Sequence, residues 1–202
     1  MNAQLVQTFR TWLPALAGMT CLGLGAGLLS LFGFFVEPLA REFGVGIATL
    51  NAAPVVFLLV PGLIAPFVGR LVDRVPIRRM LLGGSAYAML SLFLISRAPT
   101  LPLAAVGLFS FAIGFVFYGP LVVNALMVKL YPGRQGSALA IVAIGISVSS
   151  ITLPPIVGAA LQWLDWRTTL ATMSIVMLAL LWGWILAAVP AGAGVTVDNS
   201  RP

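Results

Sequence analysis

The chain has 202 residues, of which 60% are hydrophobic and 8% charged, with a formal charge of +6. A soluble globular domain carries about 25% charged residues, so that class is excluded. The lack of His and the single Cys21 further exclude an imidazole relay, a His-bearing catalytic triad, an ordinary zinc site and an internal disulfide. An integral membrane protein with no enzymatic role, cofactor or metal is expected.

A membrane-crossing helix needs roughly 20 mostly apolar residues to span about 30 Å of hydrocarbon. Cutting the sequence at its charges yields six such segments in order: about 13–36, 47–68, 79–96, 102–128, 136–160 and 168–190. Lipid cannot satisfy an open backbone, so segments of this length are predicted to be helices. The predicted fold class is therefore all-α, with six transmembrane helices. A cytoplasmic N-terminus (1–12) precedes the bundle (13–190), and a polar flexible tail or linker (191–202) follows it. The first span is too long for a signal peptide and is expected to persist in the mature protein.

Lys and Arg set the orientation. With the N-terminus inside, one face collects Arg10, Arg70, Arg74, Arg78, Arg79, Lys129, Arg134 and Arg201, against Arg41, Arg97 and Arg167 on the other. That asymmetry predicts an N-in, C-in topology in the cytoplasmic (plasma) membrane. Asp73 and Asp198 reduce the inner charge to +6, and Glu37, Glu42 and Asp165 cancel the outer one. The basicity reads as a topology signal and not as a nucleic-acid footprint.

The most informative loop joins spans two and three: Gly69-Arg-Leu71-Val-Asp73-Arg74-Val-Pro76-Ile-Arg78-Arg79-Met-Leu81. Gly69 is expected to let one helix end lie closely against its neighbour. Asp73 can pair with one of the surrounding arginines or accept from a helix N-terminus. Pro76 turns the chain, and Arg78 and Arg79 anchor the next helix at the anionic leaflet. The loop resembles the cytoplasmic signature of the major facilitator superfamily, Gly-x-Leu-Ala-Asp-Arg-x-Gly-Arg-Lys-x-x-Leu. Gly69, Leu71, Asp73, Arg74 and Leu81 match it and Arg78 falls at the second basic position. Pro76 and Ile77 depart from it.

Other segments are similar to the same family. Phe34 to Gly44 looks like its first outer loop, and Asp165-Trp166-Arg167 looks like its Gly-Trp-Arg junction. Val68-Gly69, Arg78 and Leu81 recur as Val157-Gly158, Arg167 and Leu170, a constant offset of 89. The resemblance implies a three-plus-three inverted repeat and covers six helices where the family has twelve. Tyr131 to Ala140, with Gly145 and Pro154-Pro155, is similar to monocarboxylate and oxalate/formate carriers, which implies a small organic anion as substrate.

Two spans carry candidate pathway residues. Span five aligns Gly136, Ala140, Ala143, Ser147, Ser150 and Pro154 at steps of 3 and 4, a stripe that suits either close helix packing or a cavity wall. Span one has a similar patch at Gly23, Gly27 and Ser30. Span four aligns Gly107, Ser110, Gly114, Tyr118, Leu121 and Asn124. Because intramembrane polar groups face a partner or a wet cavity, Ser110, Tyr118 and Asn124 join Ser147 and Ser150 as candidates. No Asp, Glu, Lys or Arg lies mid-span, so a counter-ion must come from another bundle or from Arg41 or Lys129 at the rims.

The expected function is therefore transport of a small solute, an organic anion, by alternating access, as one half of a secondary carrier. The partners implied are the lipid bilayer, the solute and a second six-helix bundle, whether a missing C-terminal half, a split subunit or a second copy. The competing class is a six-helix substrate-binding subunit of a multi-component importer, which would need no Asp73-Arg74 latch.

Overall fold

The computed structural model describes residues 3–193, with side chains from Thr11 onward. The expected tail lies outside the described residues from 194 on. The helices are α1 (Ala3–Phe43), α2 (Ile47–Leu50), α3 (Ala53–Val72), α4 (Ile77–Ser96), α5 (Leu101–Tyr118), α6 (Pro120–Leu130), α7 (Gln135–Trp163) and α8 (Trp166–Ala188). They make six spans long and apolar enough to cross a membrane: Thr11–Phe43, Ile47–Val72, Ile77–Ser96, Leu101–Leu130, Gln135–Trp163 and Trp166–Ala188. No strand occurs among the described residues. The chain is an all-α, multi-pass membrane protein.

The helices outrun the apolar segments at their charged ends. Glu37 to Phe43, expected in an outer loop, forms the last two turns of α1, with Arg41 and Glu37 paired one turn apart. Charge marks where hydrocarbon ends, whereas a helix needs only its own backbone bonds and continues into the interface. α1 stops where Gly44 takes φ 62° and Val45 N–H reaches back to the Ala40 carbonyl at 3.2 Å, a Schellman closure.

Span four holds a break that hydropathy does not show. Pro120 has no N–H, and the residue before a proline avoids the helical region. Gly119 accordingly sits at φ −84°, ψ −159°, dividing the span into α5 and α6. The sequence signal was the Gly119-Pro120 pair.

Small residues decide which helices touch. A Cβ on Gly23 would come within 2.6 Å of the Gly145 carbonyl, and one on Gly27 within 3.1 Å of Ser149. Spans one and five therefore meet almost backbone to backbone. Gly84 and Gly114 do the same for spans three and four, where a Gly114 Cβ would meet Ala88 at 2.8 Å. In lipid, such close approach is a principal source of helix affinity.

The main packing pairs are spans one with five, one with six, three with six, three with four, and two with four. Exchanging spans one, two and three for four, five and six maps this set onto itself, as the inverted repeat requires. Spans two and five lie at the two ends of the contact chain. Each is only 22% buried over its most apolar window, against 56% for span three.

Candidate functional site

Two polar clusters lie at opposite ends of the bundle. The first is built on the 69–81 loop. Asp73 closes the C-terminus of α3, and its Oδ1 accepts from Lys129 Nζ at 3.1 Å; Lys129 also donates to the Val72 carbonyl at 3.1 Å. The sequence offers Asp73 a neighbouring arginine or a helix N-terminus as partner, and the structure pairs it with Lys129 instead. The arginines 70, 74, 78 and 79 leave along the ends of α3 and α4, while the end of span four packs beside span two and delivers Lys129. Asp73 remains 72% exposed at its side chain, so its other oxygen is open.

The remaining loop residues divide by role. Leu71 is half-buried and its carbonyl accepts from Arg74 and Val75 N–H at 3.0 and 2.9 Å, closing the helix. Leu81 is buried, and Arg74 and Arg79 are exposed. Arg78 Nη2 donates to the Leu186 carbonyl at 3.1 Å, capping the last turn of α8. The Ile77 N–H is met by the Ala193 carbonyl at 2.9 Å, which ties the segment after α8 to the start of α4. Gly69 does not fulfil the expected close approach, since a Cβ there would meet nothing within 4 Å. The neighbours at that end of α3 lie against Val68 and Val72, on another face of the helix.

The second cluster is at the other end. Arg167 donates from Nε and Nη2 to Glu42 Oε1 at 2.9 and 2.6 Å, and from Nη1 and Nη2 to the Ser96 and Ala98 carbonyls at 2.8 and 2.7 Å. Trp166 Nε1 donates to Glu42 Oε2. Asp165, standing in place of the family's glycine, caps α8 by accepting from Thr168 N–H at 3.2 Å. Those Thr168 hydrogen bonds hold its carboxyl below the ordinary aspartate range. The offset of 89 acquires a physical meaning here. Arg78 at the start of span three caps the end of span six, and Arg167 at the start of span six caps the end of span three.

The pathway candidates do not form one patch. Gly107 and Gly114 of the span-four stripe face span three, Ser110 is half-buried, and Asn124 is exposed on α6 beyond the break. Tyr118 is fully buried, its ring edge-on to Phe115 at 5.4 Å, and its hydroxyl has no hydrogen-bond partner. The continuous helical spacing assumed for the stripe fails because Gly119 interrupts it.

On span five, the packed face is Ala138, Val142, Gly145 and Ser149, and Ser149 bonds to its own helix at the Gly145 carbonyl, 2.9 Å away. The stripe at 136, 140, 143 and 147 is exposed, and Ser150 lies half-buried with its hydroxyl 3.4 Å from that of Ser30. Close packing within this bundle is therefore not what that stripe provides. Its candidates and the packed Ser149 share one composition, so spacing alone did not separate them. Arg41 and Lys129, the rim cations expected as counter-ions, have Glu37 and Asp73 as partners.

Residues 14–200 match the family profile of the Major Facilitator Superfamily. The chain is also similar to an uncharacterized MFS-type transporter, YcxA, of Bacillus subtilis (strain 168), with 26% identity over 152 residues. That alignment covers 74% of this chain and 37% of the relative, so the chain spans little more than a third of the protein it resembles. With the profile matched over most of the chain and six membrane-length helices in place, the chain belongs to the Major Facilitator Superfamily.

Proposed function

We propose that this chain is one half of a secondary carrier, moving a small solute by alternating access around a site shared with a second six-helix bundle. The observation that carries the reading is the uncovered edge of spans two and five. Gly62, Pro66 and Gly69 on α3, and Gly136, Ala140, Ala143 and Ser147 on α7, present small side chains with no helix against them. Small residues on a membrane helix favour the close approach of another helix, whereas lipid gains nothing from them. Beside them stand Leu58, Leu63, Phe67 and Ile151, each more than 70% exposed.

In this reading the chain is N-in and C-in, in the plasma membrane, because its basic residues crowd the Asp73 end. Asp73 is then a latch at the cytoplasmic junction. Lys129 holds one of its oxygens and the other faces the second bundle. Ser30, Ser147, Ser150 and Asn124 line the solute path. The solute class is a small organic anion, on the likeness of residues 131–155 to monocarboxylate and oxalate/formate carriers. No cation lies mid-span in this half, so its counter-charge comes from the second bundle.

The test is transport by the carrier formed with its second bundle in proteoliposomes, offering lactate, oxalate, a neutral sugar and a cationic dye. Saturable uptake of an anion supports the solute class, and uptake of only the sugar or dye removes it. Asp73→Asn should slow transport at least tenfold with normal membrane insertion. Unchanged transport would remove the latch.

A further inference from the structure

Between spans one, two and four, on the Glu42 side of the bundle, lies a cavity of about 310 Å³. One wall is α1 from Leu28 to Leu39, another is α5 from Leu101 to Phe111, and the turn from Thr49 to Phe57 closes the third side. Leu92, Ile95, Trp166 and Leu170 form the back. Thr49 and the Trp166 indole N–H are the only polar side-chain groups in the lining, and the indole N–H is engaged by Glu42. Apart from the Thr49 hydroxyl at one end, such a wall offers an ionic or sugar-like solute no hydrogen bond, so the cavity is distinct from the proposed solute path.

Its dimensions identify an occupant. From Leu28 to Leu39 is eleven residue steps, or roughly 16 Å at the rise of an α-helix. From Leu101 to Phe111 is roughly 15 Å by the same rise. One leaflet of hydrocarbon is about 15 Å deep. The slot therefore starts at the interface, beside Leu39 in the last turns of α1 and the helix ends at Leu50 and Leu101, and ends near mid-membrane at Leu28, Phe57 and Phe111. Its rim includes Leu29, Ala52 and Ala105, all exposed on the surface of the bundle. We propose that this slot takes up one acyl chain of a phospholipid from the leaflet on the Glu42 side. The chain lies parallel to the helices and completes the packing of spans one, two and four. A void of this size would forfeit dispersion contacts along its whole lining, and water gains no partners there. The inference holds for either orientation of the protein in the membrane.

Trp166 provides the probe, being 6% exposed and part of the lining, while Trp163 is 87% exposed on the surface. Two proteins are reconstituted in phosphatidylcholine vesicles with or without bromine on the acyl chains. One keeps only Trp166, the other only Trp163, with Phe at the other tryptophans. Bromine should quench Trp166 to within about twofold of Trp163. Filling the slot with Ala53→Phe and Ala105→Phe should at least halve the Trp166 quenching and leave Trp163 unchanged. A Trp166 that is blind to brominated chains, or quenching that the filled slot does not reduce, would overturn the proposal. Should either single-Trp protein fail to fold, native mass spectrometry of the otherwise unaltered chain replaces it. Retained phospholipid that is lost in the Ala53→Phe, Ala105→Phe protein supports the slot, and equal retention overturns it.

Discussion

Glycine at 145 does what no other residue could do there, since an added Cβ would lie 2.2 Å from the Met19 carbonyl. Backbone cannot yield as a flexible side chain does, so Gly145→Ala must push spans one and five apart. A loss of about 1–3 kcal/mol is expected, as for overpacked cores. Gly136→Ala, one face away with nothing within 4 Å, should leave stability unchanged. Thermal unfolding of both variants in detergent checks the contrast, and equal effects would refute the packing assignment. At Asp165 the expected effect is on pH. Its carboxyl is held below the ordinary value of 3.8 by Thr168, so the cap stabilises α8 above that value. It is lost as pH falls through the lower, folded-state pKa. Asp165→Asn should lower the unfolding temperature at neutral pH and flatten its acid dependence below pH 4, measured by the same unfolding experiment.

Among the elements, the two arginine caps are related by the repeat but unequal in weight. Arg167 carries a carboxylate and two terminal carbonyls and is largely shielded, whereas Arg78 is bonded to one carbonyl. Arg167→Ala strands partly buried acceptors at three places, for about 2 kcal/mol, and Arg78→Ala should cost less than about 1 kcal/mol. Guanidine titration in detergent separates the two. Arg167→Lys is expected to restore little, because an ammonium cannot reach all these acceptors in one plane. The Asp73–Lys129 pair is a different case. With Asp73 72% exposed, an ion pair of this kind contributes at most about 1 kcal/mol. A transport defect in Asp73→Asn would therefore reflect what the exposed oxygen does and not a weakened bundle.

At the scale of the whole molecule, orientation is open to a direct chemical test. Cys21 is fully buried, so it should not compete for a thiol reagent. In intact cells, Arg97→Cys should react with a membrane-impermeant maleimide. Arg74→Cys should react only after permeabilisation. The reverse pattern would invert the topology argued from the basic residues. Spans two and five, at the two ends of the contact chain, are also the least buried at 22% each, so the small residues on them are the bundle's most open surface.

Sequence alone determined six membrane helices, because hydrocarbon thickness fixes their length and an unpaired backbone is not tolerated there. It also determined the family, through Gly69, Leu71, Asp73, Arg74 and Leu81 at fixed offsets, and hinted at the repeat through Arg78 and Arg167. Partners were beyond it. Lys129 lies 56 residues from Asp73 and Glu42 lies 125 from Arg167, and only the packing of spans brings them together. The same holds for the small-residue stripes. Gly145 and Gly136 are the same residue type on opposite faces of one helix, and nothing local says that the first is pressed against Met19 while the second is open. Which stripe a neighbour covers depends on where every other helix lies, and the break at Gly119 shifts the register of half of span four. Local periodicity sets which residues share a face, and tertiary structure decides what that face meets.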